Sequence, residues 1–81
     1  MTILLFGITK DIVGNTTLSL SHSEAKTVQT VGQLRLFLTG TYPEISRLSS
    51  LAIAVNSEYA EDEREIKQED EIALIPPVSG G

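Results

Sequence analysis

Thr30-Val31-Gly32-Gln33-Leu34-Arg35-Leu36-Phe37-Leu38-Thr39-Gly40 is the stretch that decides the fold. Thr30 followed three residues later by Gln33 fits a capping box, with the threonine as N-cap and the glutamine reaching back to it. Val31, Leu34, Phe37 and Leu38 recur at helical spacing and make one apolar stripe. Gly40 is the expected terminator, and Tyr42-Pro43 lies just beyond it. The stripe belongs to a core and not to a ligand box. A single amphipathic helix of this length needs an apolar sheet to lie on, because little else in the chain can cover its face.

The flanking sequence supplies that sheet. Residues 2–6 are apolar and bounded by Gly7, which predicts a buried strand. Thr9 to Gly14 reads as one helical turn, with Thr9 as N-cap and Gly14 as the stop. Thr16-Thr17-Leu18-Ser19-Leu20 alternates polar and apolar, as a half-buried strand antiparallel to the first would. Residues 21–29 are polar and hold the lone histidine, His22, which has no neighbouring ligand and takes no role. Leu51 to Val55 predicts a third strand, Asn56-Ser57 a turn, and the residues around Tyr59 a short fourth strand. Glu71 to Ile75 forms the last strand, ended by Pro76-Pro77, which cannot donate to a ladder.

The first and last strands are both continuous apolar runs, so they are expected to pair in parallel at the sheet centre. The predicted class is α+β with a β-grasp, ubiquitin-like architecture. A mixed sheet carries one main helix across one face, a short helix after the first strand, and an extended tail. The expected division is a domain over 1–75 and a tail over 76–81. The covered face should collect Leu18, Leu34, Phe37, Leu38 and alternate strand residues.

Composition sets the outer limits. Eighty-one residues allow one domain, burying about 60–65% of the unfolded surface, with a stability of about 4–12 kcal/mol. There is no cysteine, which removes disulfides, zinc–thiolate sites and cysteine nucleophiles and suits a reducing compartment. No basic region precedes the Ile3–Ile8 run, which is too short for a signal or a spanning segment, so a cytoplasmic location is expected. Asn15-Thr16-Thr17 matches a glycosylation sequon by coincidence on that basis.

Eleven acids against six bases leave a net charge of −5, and no basic footprint for nucleic acid or an anionic membrane. The charge is concentrated in Glu58 to Glu71, where eight acids and two bases give −6. The rest of the chain therefore sums to +1. The segment is either a solvated connection between strands or a docking surface for a basic partner. Calcium fits poorly, because EF-hand spacing and its turn glycine are missing.

The sequence closes Pro76-Pro77-Val78-Ser79-Gly80-Gly81. Two glycines can simply mark where folding pressure ends. A Gly-Gly carboxylate is also chemically useful. It has no Cβ to obstruct a narrow channel, and its carbonyl carbon is unhindered once activated as an acyl-adenylate. The prolines hold the base of the tail extended, which lowers the ordering cost of insertion.

With this ending the chain resembles the family of small, sulfur-carrier subunits of molybdopterin synthase. The resemblance covers essentially the whole chain, and Pro76 to Gly81 is its specific part. Leu5-Phe6-Gly7 with Lys10 to Gly14 is similar to the family's opening strand and short helix. Thr30-Val31 with Leu34, Tyr42-Pro43-Glu44 and Ala54-Val55-Asn56 follow in the family's order. Glu69-Asp70-Glu71 matches the usual acids before the last strand, whereas Glu61 to Glu65 is richer in charge than the family pattern.

The resemblance implies a chemistry. An adenylyltransferase of the ubiquitin-activating type, using ATP and magnesium, would adenylate the Gly81 carboxylate. A sulfur-donor protein would convert it to a thiocarboxylate. The tail, Pro76 to Gly80, would then insert into the large subunit of a heterotetramer of two small and two large subunits. There the sulfur would pass to cyclic pyranopterin monophosphate. This chain would bind no cofactor or metal, and the catalytic residues would sit on the large subunit. Phe6, Tyr59 and Ile75 match the family's apolar contact positions, although Phe6 and Ile75 also read as core residues facing the helix. A sulfur carrier for thiazole synthesis or tRNA thiolation, a protein modifier conjugated through Gly81, and a binding module with an inert terminus are the alternatives.

Overall fold

The computed structural model describes residues 1–48 and 50–77. Five strands, β1 (Thr2–Leu5), β2 (Thr17–Ser19), β3 (Ala52–Val55), β4 (Glu58–Ala60) and β5 (Ile72–Ile75), form one sheet in the order β2-β1-β5-β3-β4. β1 and β5 pair in parallel, with Ile3 opposite Ile72 and Leu5 opposite Leu74, and every other pair is antiparallel. The last strand thus lies in the middle of the sheet, beside the first, as the two apolar runs predict.

The helices are α1 (Ile8–Val13), α2 (His22–Lys26) and α3 (Val31–Thr41), followed by a 3₁₀ helix over Pro43–Arg47. Val31, Leu34 and Leu38 of α3 are fully buried in one cluster with Ile3, Leu5, Ile53, Val55, Ile72 and Leu74. Leu18 and Phe37 are half-buried and pack against the same cluster. Burial of a large aliphatic side chain is worth about 1.5–3 kcal/mol, so this single core supplies most of what holds the sheet to the helix.

The start of α3 follows the sequence in part. The Thr30 hydroxyl accepts the Gln33 N–H at 3.2 Å, as an N-cap should. The Gln33 side chain, however, accepts the N–H of Gln29 at 2.7 Å and not that of Thr30, so the box is displaced by one residue. The following N–H groups of α3 are met from outside the helix. Val31 donates to the carbonyl of Arg64 and Gly32 to that of Asp62, both at 2.9 Å. A Cβ at residue 32 would stand 3.1 Å from the Asp62 Cβ, so glycine permits this close approach.

The expected stop at Gly40 is wrong. The helix runs through it to Thr41, and Tyr42 caps it with a 2.7 Å bond from its N–H to Leu38 O. The cause is Pro43, which drives its predecessor out of the helical region; Tyr42 has φ −124° and ψ 87°. Two further expectations shift. Thr9 lies inside α1, and Gly7 occupies the N-cap. The polar stretch 21–29 contains a true helix, α2, closed by a reciprocal capping box between Ser21 and Glu24. His22 is exposed on that helix.

Candidate functional site

The β-strand repeat of two sends every second residue of the central strands away from α3. Ile3, Leu5, Ile72 and Leu74 point into the core, so Leu4, Phe6, Ala73 and Ile75 stand on the opposite face. Among the described residues, no helix covers that face. Leu4, Ala54 and Ala73 floor a shallow hollow of about 280 Å³, with Phe6, Tyr59 and Ile75 around it and Ser57 and Glu71 at one edge. The strand runs read as buried are therefore buried on one side only; their remaining apolar residues form a surface.

Phe6, Tyr59 and Ile75 come together on this face. Phe6 is 49% exposed and Tyr59 76%. Ile75 is half-buried and alternates with Leu74, so neither it nor Phe6 faces the helix as a core residue would. Leu4, Ala54 and Ala73 complete the surface and were not singled out from the sequence. Their signal was present, however. Strands with one wet face should alternate, and 2–6 and 72–75 do not. Towards β2 the face turns polar, because Thr17 and Ser19 lie beside β1 there.

Phe6 is held by its neighbour in α1. The buried Thr9 hydroxyl accepts the Phe6 N–H at 3.0 Å and donates to the Phe6 carbonyl at 2.5 Å. Gly7, between them, has φ 56° and ψ −135°, a conformation that side chains disfavour. A Cβ on Gly7 would also lie 2.9 Å from Pro76 Cγ. The β1–α1 turn thus abuts the base of the tail. Through Phe6 and Ile75 the hollow joins a second apolar groove, formed with Gly7, Ile8, Leu48, Pro76 and Pro77. Pro76 and Pro77 are half-buried beside it. Val78, Ser79, Gly80 and Gly81, the rest of the expected tail, lie outside the described residues.

The acidic segment has structural work. After β4 its backbone runs along the start of α3, where Arg64 and Asp62 receive the helix N–H groups and Ile66 N–H binds Gln29 O at 3.0 Å. Ile66 is buried, while Glu61, Glu63, Glu65 and Glu69 are exposed. Asp62 pairs with Arg35 at 3.2 Å. Asp70 accepts the Lys67 N–H and an Asn56 side-chain N–H, and these two bonds in that order hold its carboxyl below the usual carboxylate range. The segment is thus stitched to a helix end by its backbone while it presents most of its acids to solvent. Among the described residues, no cluster of three or more histidines or acids is placed to hold a metal. No helix there is long and apolar enough to cross a membrane.

Comparison with known proteins bears on what such a face and tail are for. The model of the ThiS family matches residues 3–81. The chain belongs to the ThiS family. A molybdopterin synthase sulfur carrier subunit from Dictyostelium discoideum is 37% identical over 84 residues, an alignment covering 98% of this chain and 93% of that protein. The Arabidopsis thaliana protein of the same description is 32% identical, over 98% and 80% of the respective chains. Among solved structures, the ubiquitin-like SAMP1 of Haloferax volcanii superposes with a TM-score of 0.77 at 28% identity, covering 99% of this chain and 97% of that one. The fold also matches a chain in the complex of subunits 1 and 2 of the Helicobacter pylori molybdopterin-converting factor, with a TM-score of 0.63, 23% identity, and coverage of 99% and 96%. This ThiS-family chain is therefore a β-grasp relative of molybdopterin synthase sulfur carriers.

Proposed function

We propose that this protein is the sulfur-carrier subunit of a molybdopterin synthase. Residues 1–75 form the docking domain and 76–81 the delivery tail. The observation that carries this is the apolar face of β1, β5 and β3, uncovered among the described residues, which ends where Pro76 and Pro77 begin. A docking surface needs desolvated aromatic anchors with a polar edge, and Phe6 and Tyr59 beside Ser57 and Glu71 fit that pattern. The family relatives, by their description, support the chemistry.

An adenylyltransferase joins the Gly81 carboxylate to AMP and releases pyrophosphate from magnesium-bound ATP. A sulfur-donor protein then supplies sulfur at the sulfide level, which attacks the acyl carbon and expels AMP, leaving a thiocarboxylate on Gly81. The domain docks through Phe6, Tyr59 and Ile75 on the large subunit, in a heterotetramer of two copies of each. Pro76, Pro77, Val78, Ser79 and Gly80 carry Gly81 to cyclic pyranopterin monophosphate there. Water cleaves the acyl–sulfur bond and returns the carboxylate, so the chain acts as a cosubstrate in the cytoplasm, holding no cofactor of its own. The likeness to SAMP1, a small archaeal modifier protein, favours one second use, conjugation of Gly81 to lysines of other proteins.

Docking is tested with Phe6→Asp, which places a charge on an exposed residue at the centre of the face. The variant should keep its fold by circular dichroism and bind the large subunit at least about tenfold more weakly. Unchanged affinity would remove this face from the interface.

A further inference from the structure

Two segments build the far rim of the docking hollow, and one pair of side chains ties them together. Asn56 and Ser57 turn the chain from β3 into β4, at φ 52° and 69°. The Asn56 N–H donates to Glu71 O at 2.8 Å, and its side-chain oxygen accepts the Glu71 N–H at 2.9 Å. Its side-chain nitrogen donates to Asp70 Oδ1 at 3.0 Å. Asp70 Oδ2 accepts the Lys67 N–H at 2.8 Å, which fixes the carboxylate on its own turn. Ser57 and Tyr59 line the hollow from one side of this tie and Glu71 from the other. β4 is a three-residue strand at the sheet edge and, among the described residues, pairs with β3 alone. Short edge strands belong to the low-stability end of a domain, so the turn that leads in governs where Tyr59 stands.

We infer that Asn56 and Asp70 act as a positioning clamp, holding the β3–β4 turn against the entry to β5 so that Tyr59 is set in place for the partner. The inference rests on the docking function proposed above. These bonds lie at the surface, where a hydrogen bond adds little to global stability. Their effect is to remove freedom from a turn, which lowers the ordering cost when the partner binds.

Asn56→Gly removes the side-chain bonds at a positive φ that glycine accepts, and Asp70→Ala, which leaves the backbone of the turn unaltered, controls for the freedom glycine adds. Amide exchange at Tyr59 and Ala60 and affinity for the purified large subunit are read together, with thermal unfolding as a check on the fold. Exchange should quicken by about tenfold. Affinity should weaken by about tenfold, with the unfolding midpoint nearly unchanged. Asp70→Ala should quicken exchange and weaken binding in the same direction, and the double variant should fall short of the sum of the two singles, since they share the Asn56–Asp70 bond. Quickened exchange with wild-type affinity would overturn the clamp while leaving docking intact, as would exchange that does not change. Tyr59→Ala and the wild-type chain separate the two ideas. If the wild type binds and Tyr59→Ala does not, docking stands and the clamp is judged on its own variants. If the wild type fails to bind, docking fails and the clamp's role falls with it.

Discussion

At the scale of single residues, two polar side chains shape the apolar face from behind. Thr9 is wholly buried, and its hydroxyl meets both backbone groups of Phe6. Thr9→Val keeps the volume but leaves the Phe6 N–H without that acceptor, so stability should fall by about 1–2 kcal/mol in urea unfolding. No change would mean that the hydroxyl only fills space. Asp70 predicts a pH dependence of defined sign. Its carboxyl is held below the ordinary value near 3.9 in the folded protein, chiefly by the Lys67 N–H. The stabilisation is therefore fully present above the unfolded value and is lost as pH falls through the lower, folded one. Urea unfolding followed from neutral to acidic pH should show a shallower acid loss in Asp70→Asn than in the wild type. Identical acid limbs would show that the carboxylate contributes nothing.

At the scale of elements, α3 depends on its cap. Thr30→Ala removes the acceptor for the Gln33 N–H and should cost about 1 kcal/mol, read from the urea midpoint at constant slope. A shift of the opposite sign would contradict the cap. The start of α3 and the Asn56-Ser57 turn were legible because each has a local chemical cause, and the parallel pairing of β1 with β5 because both are continuous apolar runs. The end of α3 was not. Gly40 and Pro43 compete as terminators, and an interior glycine costs a helix only about 1 kcal/mol, whereas Pro43 forbids Tyr42 a helical conformation. α2 escaped because five residues cannot display helical periodicity, although Ser21 and Glu24 carried its capping box in plain view. The Asn56–Asp70 tie joins residues fourteen apart, and nothing local in the sequence announces such a pair.

At the scale of the whole molecule, the sequence already distinguished a covered face from a tail, but it left Phe6 and Ile75 between core and interface. Register decides it. One position along a strand moves a side chain to the other side of the sheet, and Leu5 and Leu74 take the helix side. The molecule then divides its labour. One sheet face holds the fold together through α3, the other remains uncovered among the described residues, and the uncovered one leads to Pro76. The absence of cysteine gives that division a chemical consequence. No side chain can carry a persulfide, so under the proposed function the transferable sulfur would ride on the Gly81 carboxyl. The most direct test is the intact mass of the chain after incubation with the adenylyltransferase, ATP and a sulfur donor. The expected result is the exchange of one oxygen for one sulfur, absent without ATP and absent when Gly81 is deleted. A mass that never changes, or an exchange that persists without Gly81, would contradict the account.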